Sequence, residues 1–188
     1  MSLSRVIAAW THSLLASLAQ HPTFFDATPS ARQAALATSD LPQALRAYAC
    51  TVEATAFLQN MRQATPHLAS PRLPKDLRSN AFWRACAESL CETIALYDQD
   101  PDLLEELQPF VRAHTPRHFA FVQTPVLLEA KERAHMREAL QAHDAQAVPL
   151  FRVEASLGGG FRLFHQGTLV DRSWTGTAKH LLGRLFAH

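Results

Sequence analysis

Ten histidines, three cysteines, a short run of carboxylates and one run of glycines are the side chains and backbone positions that could do chemistry here. His114 and His118 stand four apart, but Pro116 between them breaks any shared helical face. His135 and His143 lie about two helical turns apart, roughly 12 Å by rise, which is too far to share one ion. Read this way the histidines are surface residues and no metal ligand is expected. Cys86 and Cys91 are five apart on different helix faces, and with Cys50 they make an odd set without a disulfide spacing. Three buried thiols in a reducing compartment fit better. Asp98, Asp100, Asp102, Glu105 and Glu106 gather at a helix start, where they complement the dipole. The run Ser156-Leu157-Gly158-Gly159-Gly160 suggests a phosphate cradle, yet a cradle joins a strand to a helix N-terminus and this run opens another strand. A bulge or a close backbone approach is the expectation. No G-x-S-x-G elbow, H-E-x-x-H pair or G-x-x-x-x-G-K-[ST] loop occurs. The sequence therefore predicts no catalytic residues and no cofactor.

Composition narrows the class. With 188 residues, 47% hydrophobic and 19% charged, the chain can bury a core and holds one ordinary domain or two small ones. Eighteen basic against seventeen acidic residues leave +1, without the basic excess that nucleic-acid phosphates demand. Arg5 is the only basic residue among the first twenty, and the apolar stretch there is interrupted, so neither a secretory leader nor a membrane span is expected.

The elements change character along the chain. All six glycines follow residue 157, and the segment before them is rich in alanine, which favours helix. Residues 1–70 carry only four basic and three acidic side chains, so their helices are mostly hidden by a bundle or a partner. Val6, Trp10, Leu14 and Leu18 recur by fours on a first helix that ends at His21-Pro22. A short helix over 30–37 follows, then a longer one from Ser39 or Asp40 to about Gln63 with Pro42 in its first turn. Pro66, Pro71 and Pro74 make a loop, a helix runs from about Lys75 to Tyr97, and Pro101 opens one ending near His114. Beyond Pro116 the pattern becomes a strand at 118–122 and an amphipathic helix from Pro125 to about His143, with Leu128, Ala139 and Leu140 on its apolar side. Strands at 148–153, 161–165 and 168–170 follow, the last two joined by a tight turn at Gln166-Gly167. Ser173 or Thr175 caps a final helix carrying Leu181, Leu182 and Leu185. The expected class is α+β: a bundle of about six helices over residues 1–114, then a small β-α-β-β-α domain over 117–188.

Within residues 118–188 three blocks stand in a recognisable order. Thr124-Pro125-Val126-Leu127-Leu128 leads through Met136-Arg137-Glu138-Ala139-Leu140, and Glu154-Ala155-Ser156-Leu157-Gly158-Gly159-Gly160 follows. Gly167-Thr168-Leu169-Val170-Asp171-Arg172-Ser173 closes the set. This half resembles the delta subunit of bacterial F-type ATP synthases, the family of the mitochondrial oligomycin-sensitivity-conferring protein. That family reads a strand, T-A-x-P-L-T-E-E-Q, D-P-S-L-x-G-G, a hairpin and D-x-S before a last helix. Glu154 and Ala155 replace the usual Asp-Pro, and Trp174 follows the capping serine.

The resemblance implies a non-catalytic stator subunit, peripheral on the cytoplasmic face of the bacterial inner membrane. It implies that the helical domain takes N-terminal segments of the alpha subunits of the catalytic head, with Val6, Trp10 and Leu14 on a groove wall. It implies that the small domain grips the b subunits of the peripheral stalk, through Leu181, Leu182 and Leu185 or an apolar strand face at Phe161 and Phe164. Ser156, Leu157, Gly159, Gly160, Asp171 and Ser173 would fix the fold of the small domain, with Asp171 capping the last helix or pairing with an arginine. Two other readings stay open. Stators of flagellar, type III secretion and vacuolar-type ATPases end similarly but usually begin with one long heptad-rich helix, which the prolines here forbid. A small ligand-binding module or enzyme could instead use the glycine run with Arg152, Arg162 and His165.

Overall fold

In a computed structural model of the chain, the described residues are 2–64, 80–94 and 101–185, with side chains described over 2–63, 80–94 and 103–179. The class is α+β, with eight helices and one four-stranded mixed sheet among the described residues. Two compact units, Met1–Thr115 and Pro116–His188, divide the chain.

The first unit is helical: α1 (Leu3–Gln20), a 3₁₀ turn (Phe24–Asp26), α2 (Pro29–Leu36), α3 (Gln43–Ala49), α4 (Val52–Ala64), α5 (Asn80–Glu92) and α6 (Pro101–His114). Thr28 caps α2 by accepting from the Ala31 amide at 3.4 Å, with Pro29 preset for the first turn. The core is built from Leu14, Leu18, Phe24, Leu36, Leu45, Leu58, Met61, Phe82 and Cys86, all buried. Aromatic rings continue it: Tyr48, Phe57, Phe82, Trp83 and Phe110 meet in successive tilted or edge contacts of 5.1 to 6.4 Å. Arg32 is buried too, and its guanidinium donates to the carbonyls of Ala27 and Phe25 and to Thr55 Oγ1.

Three sequence expectations are corrected in this unit. The single helix from Ser39 or Asp40 to Gln63 is two helices, because Thr51 breaks it. Its hydroxyl donates to the Tyr48 carbonyl at 2.8 Å and accepts from the Ala54 amide at 3.2 Å, which closes α3 and caps α4. Pro42 stands one residue before α3, as its N-cap, rather than inside the first turn. Glu106 is not simply solvated charge at a helix start: its carboxylate accepts from the Leu3 amide at 2.8 Å, at the opening of α1. The helix expected from Lys75 to Tyr97 is described over Asn80–Glu92 and gives way to a turn at Thr93, whereas its expected start before residue 80, the loop at Pro66, Pro71 and Pro74, and Asp98 and Asp100 lie outside the described residues.

The second unit runs β1 (His118–Thr124), α7 (Ala130–His143), β2 (Ala147–Val153), a 3₁₀ turn (Ala155–Leu157), β3 (Arg162–His165), β4 (Thr168–Asp171) and α8 (Trp174–Leu185). The sheet order is β2-β1-β3-β4. Strands β1 and β2 are parallel and joined through α7, while β3 and β4 add antiparallel beside β1. Parallel neighbours need such a crossover, whereas β3 and β4 close through two residues. Gln166 and Gly167 make that turn with φ of 48° and 78°, the left-handed pair a type I′ hairpin requires. Helix α7 begins five residues later than the sequence suggests. Glu129 accepts from the backbone of the first turn while the Glu132 carboxylate takes the Glu129 amide at 2.8 Å, a reciprocal capping box that fixes the start. Val126 and Leu127 precede it as exposed loop residues, and Ala139, expected on the apolar side, is exposed. No described helix is long and apolar enough to cross a membrane.

Candidate functional site

The blocks singled out in the sequence meet in the second unit, where segment 154–161 is laced to segment 171–176. Glu154 opens the 3₁₀ turn by accepting from the amide and the hydroxyl of Ser156 at 3.3 and 2.5 Å. Leu157 is fully buried beneath that turn. The hydroxyl of Thr175 donates back to the carbonyls of Ser156 and Leu157 at 2.8 and 3.1 Å. The Trp174 amide donates to the Gly159 carbonyl at 3.1 Å, and the Arg172 amide to the Phe161 carbonyl at 2.9 Å.

The glycines make this approach possible. A Cβ on Gly159 would stand 2.6 Å from the Trp174 indole. One on Gly160, where φ is +72°, would stand 2.1 Å from the Arg172 carbonyl oxygen. With the neighbours where they stand, a side chain fits at neither position. The space a phosphate would need is filled by an indole on one side, and a carbonyl oxygen points at the backbone on the other.

Asp171 organises the helix start. Its Oδ1 accepts from the Ser173 amide at 2.9 Å and the Ser173 hydroxyl at 2.6 Å, while its Oδ2 takes the Arg162 guanidinium at 3.1 Å. Ser173 is buried and its hydroxyl accepts from the Gly176 amide at 3.0 Å, so Ser173 caps α8. The Ser173 hydrogen bonds, then Arg162, hold the Asp171 carboxyl below its usual range. Hydrogen bonds from Ser156 lower Glu154 in the same way. Arg162 is thus engaged, and the Arg152 guanidinium lies 5.3 Å over the Phe121 ring.

Other sequence candidates fall elsewhere. Val6 and Leu14, expected on a partner groove, are buried in the first unit's own interior, because the stripe spaced by fours is the face that α1 packs inward. Trp10 is half-buried against the same core. The side chains of Leu181, Leu182 and Leu185 lie outside the described residues, although their backbone belongs to α8. Cys86 is buried, while Cys50 and Cys91 are only partly so. Burial pushes the Cys86 thiol far up and raises Cys50 more modestly.

The histidine reading is also corrected. His118 and His165 are not isolated surface residues: they converge with Asp144 at one end of the sheet, the His118 and His165 Nε2 atoms standing 2.8 and 3.2 Å from Asp144 Oδ2. His118 opens β1, His165 ends β3, and Asp144 follows α7. Strand pairing sets Ala120 opposite His165, since Phe121 faces Phe164, so His118 and His165 share one face of the sheet two residues apart in register. Spacing along the chain could not disclose this, since the partners are 26 and 47 residues away. The Asp144 carboxyl is held below its usual range, first by the Gln146 amide and further by His118.

Large apolar side chains also stay exposed on the second unit, alongside charged ones such as Glu129, Lys131, Glu132 and Glu138. Phe164 is 40% exposed, Leu169 51% and Trp174 72%, with Val126, Leu127 and Val170 also exposed. Compared with known proteins, the chain matches no family model and no curated sequence.

Proposed function

We propose that this protein is a non-catalytic stator subunit, tying the catalytic head of a rotary ATP synthase to its peripheral stalk. One observation carries the reading. The motif residues around the glycine run are used up in building the small unit, while large apolar side chains, among them the cross-strand pair Phe164 and Leu169, stay exposed on it. Ser156 bonds Glu154, Leu157 is buried, Gly159 and Gly160 lie against Trp174 and Arg172, Asp171 bonds Ser173, and the arginines beside the glycine run are engaged. A ligand-binding module needs convergent polar groups with spare valence in a cleft. A connector needs apolar area for a partner, and clustered exposed apolar side chains mark such areas. The order of a helical unit before a β-α-β-β-α unit supports the same assignment.

The implied partners are N-terminal segments of the head's alpha subunits for the helical unit and the b subunits of the stalk for the small one. The protein would then sit peripherally on the cytoplasmic face of the bacterial inner membrane. Since Val6 and Leu14 are core residues, a groove contact on α1 would use its half-buried margin at Trp10. Affinity capture from the native membrane fraction tests the reading. Head and stalk subunits should co-purify with the full chain, and the deletions of 1–20 and of 173–188 should each lose one set. Capture of secretion-ATPase components instead, or of neither, overturns it.

A further inference from the structure

We propose that His118, Asp144 and His165 form a binding site for a divalent transition-metal ion of the zinc class, closed by the side-chain amide of Gln166. The inference stands apart from the stator reading. It starts from a conflict of protons. His118 Nε2 has three polar atoms around it: Asp144 Oδ2 at 2.8 Å, Gln166 Nε2 at 3.0 Å and His165 Nε2 at 3.1 Å. Asp144 Oδ2 is approached by His165 Nε2 at 3.2 Å and by Gln166 Nε2 at 3.0 Å as well. An imidazole nitrogen carries either one proton or one lone pair. It cannot donate to a carboxylate and accept from an amide at once, and two facing Nε2 atoms leave one of them ill-served. A cation at the centre resolves this, because both nitrogens then present lone pairs inward alongside the carboxylate.

The dimensions suit the ion. A tetrahedral zinc with bonds of about 2.0–2.1 Å holds its ligand atoms about 3.3–3.4 Å apart. The three edges here are 2.8, 3.1 and 3.2 Å, so an expansion of a few tenths of an ångström admits it. Two imidazoles and one carboxylate form a borderline donor set that favours zinc, copper or nickel over magnesium or calcium. Turning the Gln166 amide about its last torsion places Oε1 where Nε2 now lies, which supplies a fourth ligand and removes a donor from the cluster.

The surroundings hold the ligands in place. Asp144 spends its other oxygen, Oδ1, on the Gln146 amide at 2.9 Å, which aims Oδ2 at the histidines. The amide of Asp144 donates to the Leu140 carbonyl and its carbonyl accepts from the Ala147 amide, so the loop is fixed at both ends. Gln166 is the one described non-glycine residue with positive φ, at 48°, and that turn geometry carries its side chain back over the sheet end. The histidine and aspartate side chains are each about a quarter exposed or less, at 26%, 22% and 20%. A bound ion would staple the start of β1, the β3–β4 turn and the α7–β2 loop, a structural rather than a reacting role.

The test uses the full chain, stripped with a chelator and titrated with zinc alone by calorimetry, and with cobalt(II) by visible absorption. One equivalent should bind saturably at micromolar metal or below, with the intense absorption bands of tetrahedral cobalt and a raised thermal midpoint. His165→Ala and Asp144→Asn should weaken binding by more than the roughly 10–100-fold that loss of an outer-shell partner costs. Gln166→Ala should weaken it less, and the exposed His135→Ala should leave it unchanged. No saturable binding by the unaltered chain overturns the proposal, and so does binding that survives His165→Ala in a folded variant or disappears with His135→Ala.

Discussion

The indole of Trp174 rests so closely on Gly159 that a methyl group there would stand 2.6 Å from two of its ring atoms. Trp174 is the first residue of α8, and its amide hydrogen-bonds the Gly159 carbonyl, so the contact seats the last helix on the turn after β2.

The neighbouring glycines should respond differently to alanine. At Gly160 the obstacle is backbone, the Arg172 carbonyl oxygen at 2.1 Å, and φ is +72°. Gly160→Ala combines left-handed strain of about 1–2 kcal/mol with overpacking of about 1–3 kcal/mol, neither of which can relax locally. At Gly159 the obstacle is a side chain 72% exposed, which can swing away. Gly159→Ala should cost about 1–2 kcal/mol, and much of that should vanish in a Trp174→Ala background. Urea unfolding of the four variants measures both, and additive costs for 159 and 174 would refute the contact.

Acid should loosen the small unit early. Glu154 and Asp171 titrate below their ordinary values of 4.5 and 3.8 because Ser156 and Ser173 hydrogen-bond the charged forms. A depressed carboxyl contributes its full stability above the unfolded-state value, and that contribution is lost as pH falls through the folded one. In the metal-free chain the contribution of these two carboxyls to the thermal midpoint should therefore be constant above about pH 5 and decline below about 4.5. Asp171→Asn should lower the midpoint at pH 7 and flatten the decline. A variant with an unchanged pH profile would contradict this account of Asp171.

Arg32 should not tolerate lysine. Its guanidinium serves two carbonyls of the turn at 25–27 and one hydroxyl on α4, and lies 5.6 Å over the Phe24 ring. An ammonium cannot span that fork. Arg32→Lys should cost about 1–3 kcal/mol by leaving a part-buried acceptor unserved, read as a lower urea midpoint with an unchanged slope.

Thiol chemistry should separate the cysteines. Cys86 is fully buried and its thiol is held protonated, whereas Cys50 and Cys91 are partly exposed. A disulfide reagent at mildly alkaline pH should leave Cys86 unmodified until denaturant is added. Mass mapping of the modified residues reads this out, and rapid labelling of Cys86 in the native chain would show that the α5 core is open.

The sequence by itself determined what depends on neighbours along the chain. Alanine-rich stretches with apolar residues every three or four positions became helices, and the Gln166-Gly167 pair became a hairpin turn. Asp171 and Ser173 became a helix cap, since caps and turns are contacts between residues two or three apart. The glycine run could be read as a close approach, but its partners, Trp174 and the Arg172 carbonyl, could not. Tertiary structure decided the rest. It turned Val6 and Leu14 inward, because periodicity identifies an apolar face without saying what covers it. It did not cut the expected helix at Thr51 or delay α7 to Ala130: local side-chain hydrogen bonds three residues apart did that, and periodicity alone does not report them. Tertiary structure also brought His118, Asp144 and His165 together, because a parallel crossover and an antiparallel hairpin meet at the same end of the sheet. Such a meeting is a property of strand order and register, which the spacing of histidines along the chain does not encode.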